Sequence, residues 1–492
     1  MRPKLELLSP DLVNRIVKEA FELLDDPGII VSAPEVVELL ASAGARLRDD
    51  RARIPEALCR KALESVPREF DLYDRRGNPV VHYGGDAVHF DPGSSCLKIL
   101  DPETLTPRLA MADDLATLVK VTEMLPQYAA QSTAVVCSDA TPSAGDWYRL
   151  LLVLWYSEKP IITGAFNAQT LSIMLDLLRI ESAGDEALRR KPRAAFDVCP
   201  SPPLNWSDFA ALNMVQLARA GVPAEMVSMP MAGATAPITL VGSVVQHAAE
   251  SIAGIVIHQL AAPGAPVVWG GAPTILEMQS ATTPMAAMET AMLNAACAQV
   301  GKSFGLPTHG YLCSSDSKLV DAQAGLESGM TAMLGALAGI NMISGAGMLD
   351  FLACHSIEKL VIDAEIIGSI QRLLSGIGTP TETLATAMFA AAGACGDFLS
   401  LPQTLDLFRA EQHFPSAVMD RSSSELATHV PPKDTFGRAR QRTHELLSQY
   451  RRPAMAQEIE QNVLQYAKDR AREAGMTLLP GIPETAAAKQ PS

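Results

Sequence analysis

The chain has 492 residues, 48% of them hydrophobic and 19% charged, a globular composition with ample material for a large core. Its 40 Lys and Arg against 55 Asp and Glu leave a net charge of -15. An acidic balance repels nucleic-acid phosphate and anionic lipid headgroups, which excludes a nucleic-acid binder and a protein docked on an anionic membrane.

In chain order, Ser9-Pro10-Asp11 reads as a helix start, with Ser as N-cap and Pro in the first turn. Leu12, Val13, Ile16, Val17, Ala20, Phe21 and Leu24 then form one apolar stripe at helical period. A second helix spans about 33–43 and a third follows Ile54-Pro55. Residues 70–90 alternate in hydrophobicity around a polar turn and predict a small antiparallel β element. Residues 1–110 are therefore expected to form an N-terminal α+β cap.

From about residue 130 short apolar runs recur, each followed by a helical stretch: 133–137, 160–164, 194–199, 224–229, 265–270, 308–313 and 339–344. Their starts lie roughly 27 to 43 residues apart, near the ~31 of a βα unit in a closed barrel. The fold expected is α/β: a (β/α)8 TIM barrel over 111–400, with a C-terminal helical extension over 401–480 and a disordered tail over 481–492. The eighth strand is sought at Leu97–Leu100 or beyond Phe351. A doubly wound open sheet is the alternative, but no strand–GxGxxG–helix fingerprint supports it.

The uncharged stretch 328–349 is interrupted by five glycines and Asn341, so it reads as core rather than a membrane span. Eight cysteines stand singly, without a CxxC pair or zinc spacing. They read as reduced thiols, and with no apolar segment resembling a signal peptide near Met1 the expected location is cytoplasmic. No metal-ligand cluster is evident by spacing.

In a βα barrel the active site lies at the carboxyl ends of the strands. Gly-rich loops there read equally as ordinary tight turns. Aromatics make up only 5% of the chain, so Phe166, Trp206, Trp269 and Tyr311 near strand ends suggest either a box for a cation or large core side chains. His309 and His355 read as acids, bases, donors or satisfied structural residues. Asp316, Lys318, Asp321 and Glu327 cluster at a helix start, where acids favour the dipole whatever the function. There is no nucleophile elbow, HExxH, P-loop or paired-carboxylate signature.

Several segments, in order, carry a family likeness: Cys199-Pro-Ser-Pro-Pro-Leu204, Ser228-Met-Pro-Met-Ala-Gly233, His247-Ala-Ala-Glu250, Gln259-Leu-Ala-Ala-Pro-Gly264, Ser315-Asp-Ser-Lys318, Asp321-Ala-Gln-Ala-Gly-Leu-Glu327, Gly345-Ala-Gly-Met-Leu349 and Leu360-Val-Ile-Asp363. The chain resembles the trimethylamine:corrinoid methyltransferase family from about Leu8 to Leu446. The resemblance implies a (β/α)8 barrel and methyl transfer from an N-methylated amine to the cobalt of a separate corrinoid protein. Archaeal members carry pyrrolysine at a position that falls here on Cys313. A thiol has no electrophilic imine carbon, so the resemblance points to the members without pyrrolysine, which look like demethylases of quaternary amines such as glycine betaine.

The expected activity is thus a quaternary-amine:corrinoid methyltransferase. Its competitors are a tertiary-methylamine (trimethylamine) enzyme working without pyrrolysine and a non-enzymatic amine sensor or scaffold. The expected cation cage is Phe166, Trp269, Tyr311 and Phe351 with Asp316 as counter-charge. His309, His355 and Gln403 are assigned to the polar end of a betaine, and Cys313 lines the site without acting as a nucleophile. No metal or cofactor is expected on this chain, since the corrinoid (cobalamin) comes with its partner protein. Self-association into a homo-oligomer is compatible with this reading.

Overall fold

The structure is a computed structural model that describes residues 3–166, 168–393, 396–423 and 433–483. Most of the tail expected to be disordered, 484–492, and Cys395 lie outside the described residues.

The fold is α/β. Five parallel strands form one sheet in the order Gln131–Ser132, Ile161–Gly164, Ala194–Val198, Ala224–Ser228, Val267–Gly271. Three more, His309–Tyr311, Met342–Ala346 and His89–Pro92, form a second parallel sheet. Backbone bonds join the edges on both sides. The Trp269 amide donates to Pro307 O at 2.9 Å beside a parallel bridge between Trp269 and Thr308. Across the other gap Ala129 N donates to Phe90 O at 3.0 Å and Ser95 N to Thr133 O at 3.1 Å.

Each parallel strand is followed by a helix, from Ala112–Glu123 after the first to Ile357–Leu374 after the last. Strand residues alternate between the helix layer and the interior, as the two-residue period requires. Phe90, Phe196, Met226, Trp269 and Ile343 join the apolar shell beneath the helices. Ala130, Ile162, Ala195, Val268 and Met342 face inward near the amino ends of the strands, where they pack on Leu72, Val81 and Tyr83. Those three come from the antiparallel hairpin Phe70–Tyr73/Pro79–Tyr83, which the alternation had predicted.

The seven predicted strand segments coincide with or abut parallel strands, but the eighth strand lies elsewhere. It is His89–Pro92, parallel to Met342–Ala346, beginning at the end of the 70–90 stretch expected to be antiparallel. Asp91 at its centre and Pro92 at its end disguise it, since a strand buried on both faces normally reads as an apolar run. Lys98–Leu100 instead pairs with Cys354–His355 and Pro107–Leu109 in a small separate sheet. The uncharged 328–349 stretch divides between the helix Ala322–Leu337 and strands Met342–Ala346 and Met348–Leu349. Among the described residues one helix, Leu240–Ala261, is long and apolar enough to cross a membrane, and 83% of its most apolar window is buried within the protein. Seven of the cysteines fall among the described residues, all free. The helices Thr435–Gln449 and Gln457–Glu473 pack on Ile357–Leu374 and Ala168–Glu181 respectively.

Candidate functional site

Two adjacent strands each carry one acid in an apolar run. Ala194-Ala-Phe-Asp-Val198 turns Asp197 inward, and Ala224-Glu-Met-Val-Ser228 does the same with Glu225. His309 and Tyr311 enter from the opposite sheet, with Ser344 and Asp91 beside them. They form a polar layer directly above the apolar plug. Tyr83 OH donates to Glu225 Oε1, and Tyr311 OH donates to Asp197 Oδ2 at 3.0 Å. Ser344 Oγ donates to Asp91 Oδ1 at 2.6 Å and lies 2.9 Å from His309 Nε2.

No Lys or Arg pairs with these three carboxylates among the described residues. Burial, the largest influence, raises Asp197 to about 6 and pushes Asp91 well above the usual carboxylate range. Burial together with the neighbouring Asp197 charge does the same to Glu225. Burial lowers His309 to about 3, so its imidazole is neutral.

Above this layer, at the carboxyl ends of the strands, lies a cavity of about 480 Å³. Asp197 and Tyr311 reach it from below. Val198, Val227, Ala272, Met348 and Leu352 contribute apolar wall, and Phe166 and Phe209 stand at its margin, both more than a third exposed. Ser94, Ser201 and Asn213 supply polar groups, and no Lys, Arg or His lines it among the described residues. Arg149 lies behind the wall, its guanidinium carbon 5.5 Å from the Phe166 ring centroid and bound to Ser95 Oγ and Asp146.

Of the predicted cage, Phe166 and Tyr311 reach the cavity; the other members do not. Trp269 points the opposite way, into the shell between strands and helices, 1% exposed. Its indole N–H donates to Cys297 O at 2.9 Å, and its ring lies 5.8 Å from His247 and 5.9 Å from Phe304. A Cβ at Gly301 would come within 2.6 Å of the indole, so glycine is what lets the helix approach. The alternation decides this: with Val268 inward, Trp269 must face outward. Phe351 lies under the Lys318 ammonium, 4.0 Å from it, outside the cavity. Asp316 accepts the amides of Met285 and Ala286 ahead of the helix Met288–Ser303, so it is a helix-end acceptor rather than a counter-charge. His355 is fully buried against Gly347, and Gln403 sits on the helix Pro402–Glu411, which buries no residue. His309 lies below the cavity in the polar layer. Cys313 also misses the cavity: it is fully buried in the apolar shell, with its amide bonded to Thr331 and its thiol pushed far up by burial. The cysteine that lines the cavity is Cys199, raised to about 12 by burial.

The fold also brings together side chains of metal-ligating type that no sequence spacing announces. One ligand atom from each of Asp197, Glu225 and His309 lies within 4.8 Å of the others. Three separate strands contribute them, so no sequence spacing reveals the set. The available signal was a single acid inside an otherwise apolar strand, costly unless the fold uses it.

The family model for trimethylamine methyltransferase (MTTB) matches residues 1–475. A trimethylamine methyltransferase of Desulfitobacterium hafniense is 30% identical over 444 residues, covering 90% of this chain and 89% of that one. One from Methanosarcina barkeri is 34% identical over 413 residues, covering 82% and 83%. A glycine betaine methyltransferase of Desulfitobacterium hafniense is 27% identical over 477 residues, covering 96% and 98%. The solved Methanosarcina barkeri monomethylamine methyltransferase aligns with a TM-score of 0.48 at 12% identity over 88% of this chain and 93% of that one. The chain belongs to the trimethylamine methyltransferase family and is a methyltransferase.

Proposed function

We propose that this chain moves a methyl group from a betaine-type quaternary amine to the Co(I) centre of a separate corrinoid protein, with the eight parallel strands acting as one (β/α)8 barrel. In this reading most of residues 1–110 cap the barrel while His89–Pro92 among them supplies its eighth strand, 111–400 form the rest, and 401–480 extend it. The observation that carries the reading is the cavity: an apolar chamber with the Phe166 and Tyr311 rings, a buried carboxylate at its floor and no cationic lining side chain among the described residues. A quaternary ammonium donates no hydrogen bond, so ring faces, dispersion and a diffuse negative charge are what recognise it.

The corrinoid supplies the nucleophile that accepts the methyl group. What remains for this chain is orientation. Holding one N–CH₃ bond in line with the incoming cobalt contributes through restricted motion rather than bond chemistry. A quaternary nitrogen leaves as a neutral tertiary amine and needs no proton, which fits a site whose nearest thiol and imidazole are held neutral by burial.

A tertiary methylamine is the second reading. It is favoured by the same absence of a cationic lining residue, because a betaine also brings a carboxylate that must find a donor among Ser94, Ser201 and Asn213. Turnover measured with glycine betaine and with trimethylamine, each with an added Co(I) corrinoid protein, separates the two. Faster methyl transfer from betaine is expected. Transfer from trimethylamine alone would overturn the quaternary assignment, and transfer from neither would overturn both.

A further inference from the structure

The polar layer beneath the cavity contains several buried acceptors that protein N–H and O–H groups leave unsatisfied. Asp197 Oδ1, Glu225 Oε2, Asp91 Oδ2 and His309 Nδ1 are all buried and receive no N–H or O–H from a neutral neighbour, while the Asp197 and Glu225 carboxyls lie close enough to share a proton. The partners that do exist explain which atoms remain bare. A serine hydroxyl has one proton, and Ser344 gives it to Asp91. With Asp91 as the acceptor, Ser344 Oγ accepts in turn from His309 Nε2–H, 2.9 Å away. In a neutral imidazole the other nitrogen then carries a lone pair, so Nδ1 is an acceptor. Tyr83 and Tyr311 likewise each donate to one oxygen of Glu225 and of Asp197, leaving the second oxygen bare. Gly270 makes room for the imidazole: a Cβ there would stand 2.9 Å from His309 Nδ1.

We propose that Asp197, Glu225 and His309 form a binding site for a divalent first-row transition cation. The donor set is two carboxylate oxygens and one imidazole nitrogen, which suits such ions. Each ligand is held from behind by one hydrogen bond, the outer arrangement that fixes tautomer and orientation at metal sites. The ligand atoms lie within 4.8 Å of one another, and neighbouring ligands about an ion at ~2.1 Å stand roughly 3–3.5 Å apart, so closure requires side-chain movement of about an ångström. A divalent cation balances the two carboxylate charges of Asp197 and Glu225, which burial otherwise disfavours. Asp197 alone of the three ligands also lines the cavity, so the cation would have one face toward substrate. The site goes beyond the methyl-transfer reading and does not depend on which amine is used.

The test needs neither substrate nor corrinoid. The full chain is stripped with EDTA, dialysed, and titrated with Zn(II) and separately with Co(II). Expected are one saturable equivalent per chain, visible d–d absorption from bound Co(II), and a rise in thermal midpoint on loading. Glu225→Gln and His309→Ala should abolish all three. Ser344→Ala keeps every ligand but removes the bond that sets the imidazole tautomer, and should weaken affinity about 10–100-fold; it serves where the ligand variants fail to fold. Absence of saturable binding to the folded wild type overturns the proposal, and so does binding undiminished in all three variants. Loss of methyl transfer from every amine with metal binding intact would count against the proposed function alone.

Discussion

Replacing Trp269 with alanine should unfold the protein more readily without changing which amine it prefers. The indole is 1% exposed, wedged among His247, Phe304 and Gly301, and its N–H is satisfied by Cys297 O. Truncating a buried Trp to Ala typically costs about 3–5 kcal/mol because lost burial and an unfilled cavity add. Trp269→Phe keeps much of the ring volume and loses one hydrogen bond worth about 1 kcal/mol plus some packing, so it should fall between wild type and alanine. Denaturant unfolding of all three proteins gives the stabilities. Values of kcat/KM for betaine and trimethylamine, corrected for the folded fraction, give the preference. The ratio of the two should stay constant across the series. A tenfold fall with betaine alone, at unchanged unfolding midpoint, would refute the outward placement and return the indole to the substrate.

Phe166 should show the opposite pattern. It is 57% exposed at the cavity margin, so Phe166→Ala should leave the thermal midpoint nearly unmoved while lowering kcat/KM for a quaternary amine by the equivalent of roughly 0.5–2 kcal/mol, one ring–cation contact. Cys313→Ala should retain most methyl transfer, and the folded wild type should resist thiol reagents at Cys313, because that thiol is fully buried and its proton firmly held; peptide mapping after alkylation reads this directly. The protein should be acid-labile through His247 and His258, which burial lowers from 6.5 to about 4 and about 3. The unfolded chain binds those protons below pH 6.5 and the folded one does not, so stability falls as pH drops from 6.5 toward 4. At pH 5 each imidazole costs on the order of 2 kcal/mol, and His258→Gln should flatten the decline measured by denaturant unfolding at pH 7, 6 and 5.

Much of the α/β layout was legible because its strands are buried on both faces and so read as apolar runs at βα spacing. Pro160–Gly164 and Ala224–Met229 were visible for that reason. His89–Pro92 was missed because it carries an acid at its centre, although its pairing with Met342–Ala346 is as regular as the others over its first three residues. The aromatic residues misled for a related reason. Being near the end of a strand places a residue at the correct height, but only the two-residue alternation decides whether it faces the interior or the helices. That parity could be read in Val268-Trp269-Gly270 only once Val268 was known to meet Ile162 and Met342.

The sequence by itself determined the family, through collinear motifs spread over most of the chain, and the acidic character that excludes polyanionic partners. It also determined that strands would alternate with helices. Tertiary structure alone decided the site. Asp91, Asp197, Glu225, His309 and Ser344 come from five strands and are separated by up to 253 residues within a single hydrogen bond. No periodicity or spacing connects such residues, because the contacts that join them arise only when the two sheets face each other. Their burial then makes acids and imidazole behave as they would not in water, raising the carboxyls and lowering the histidine.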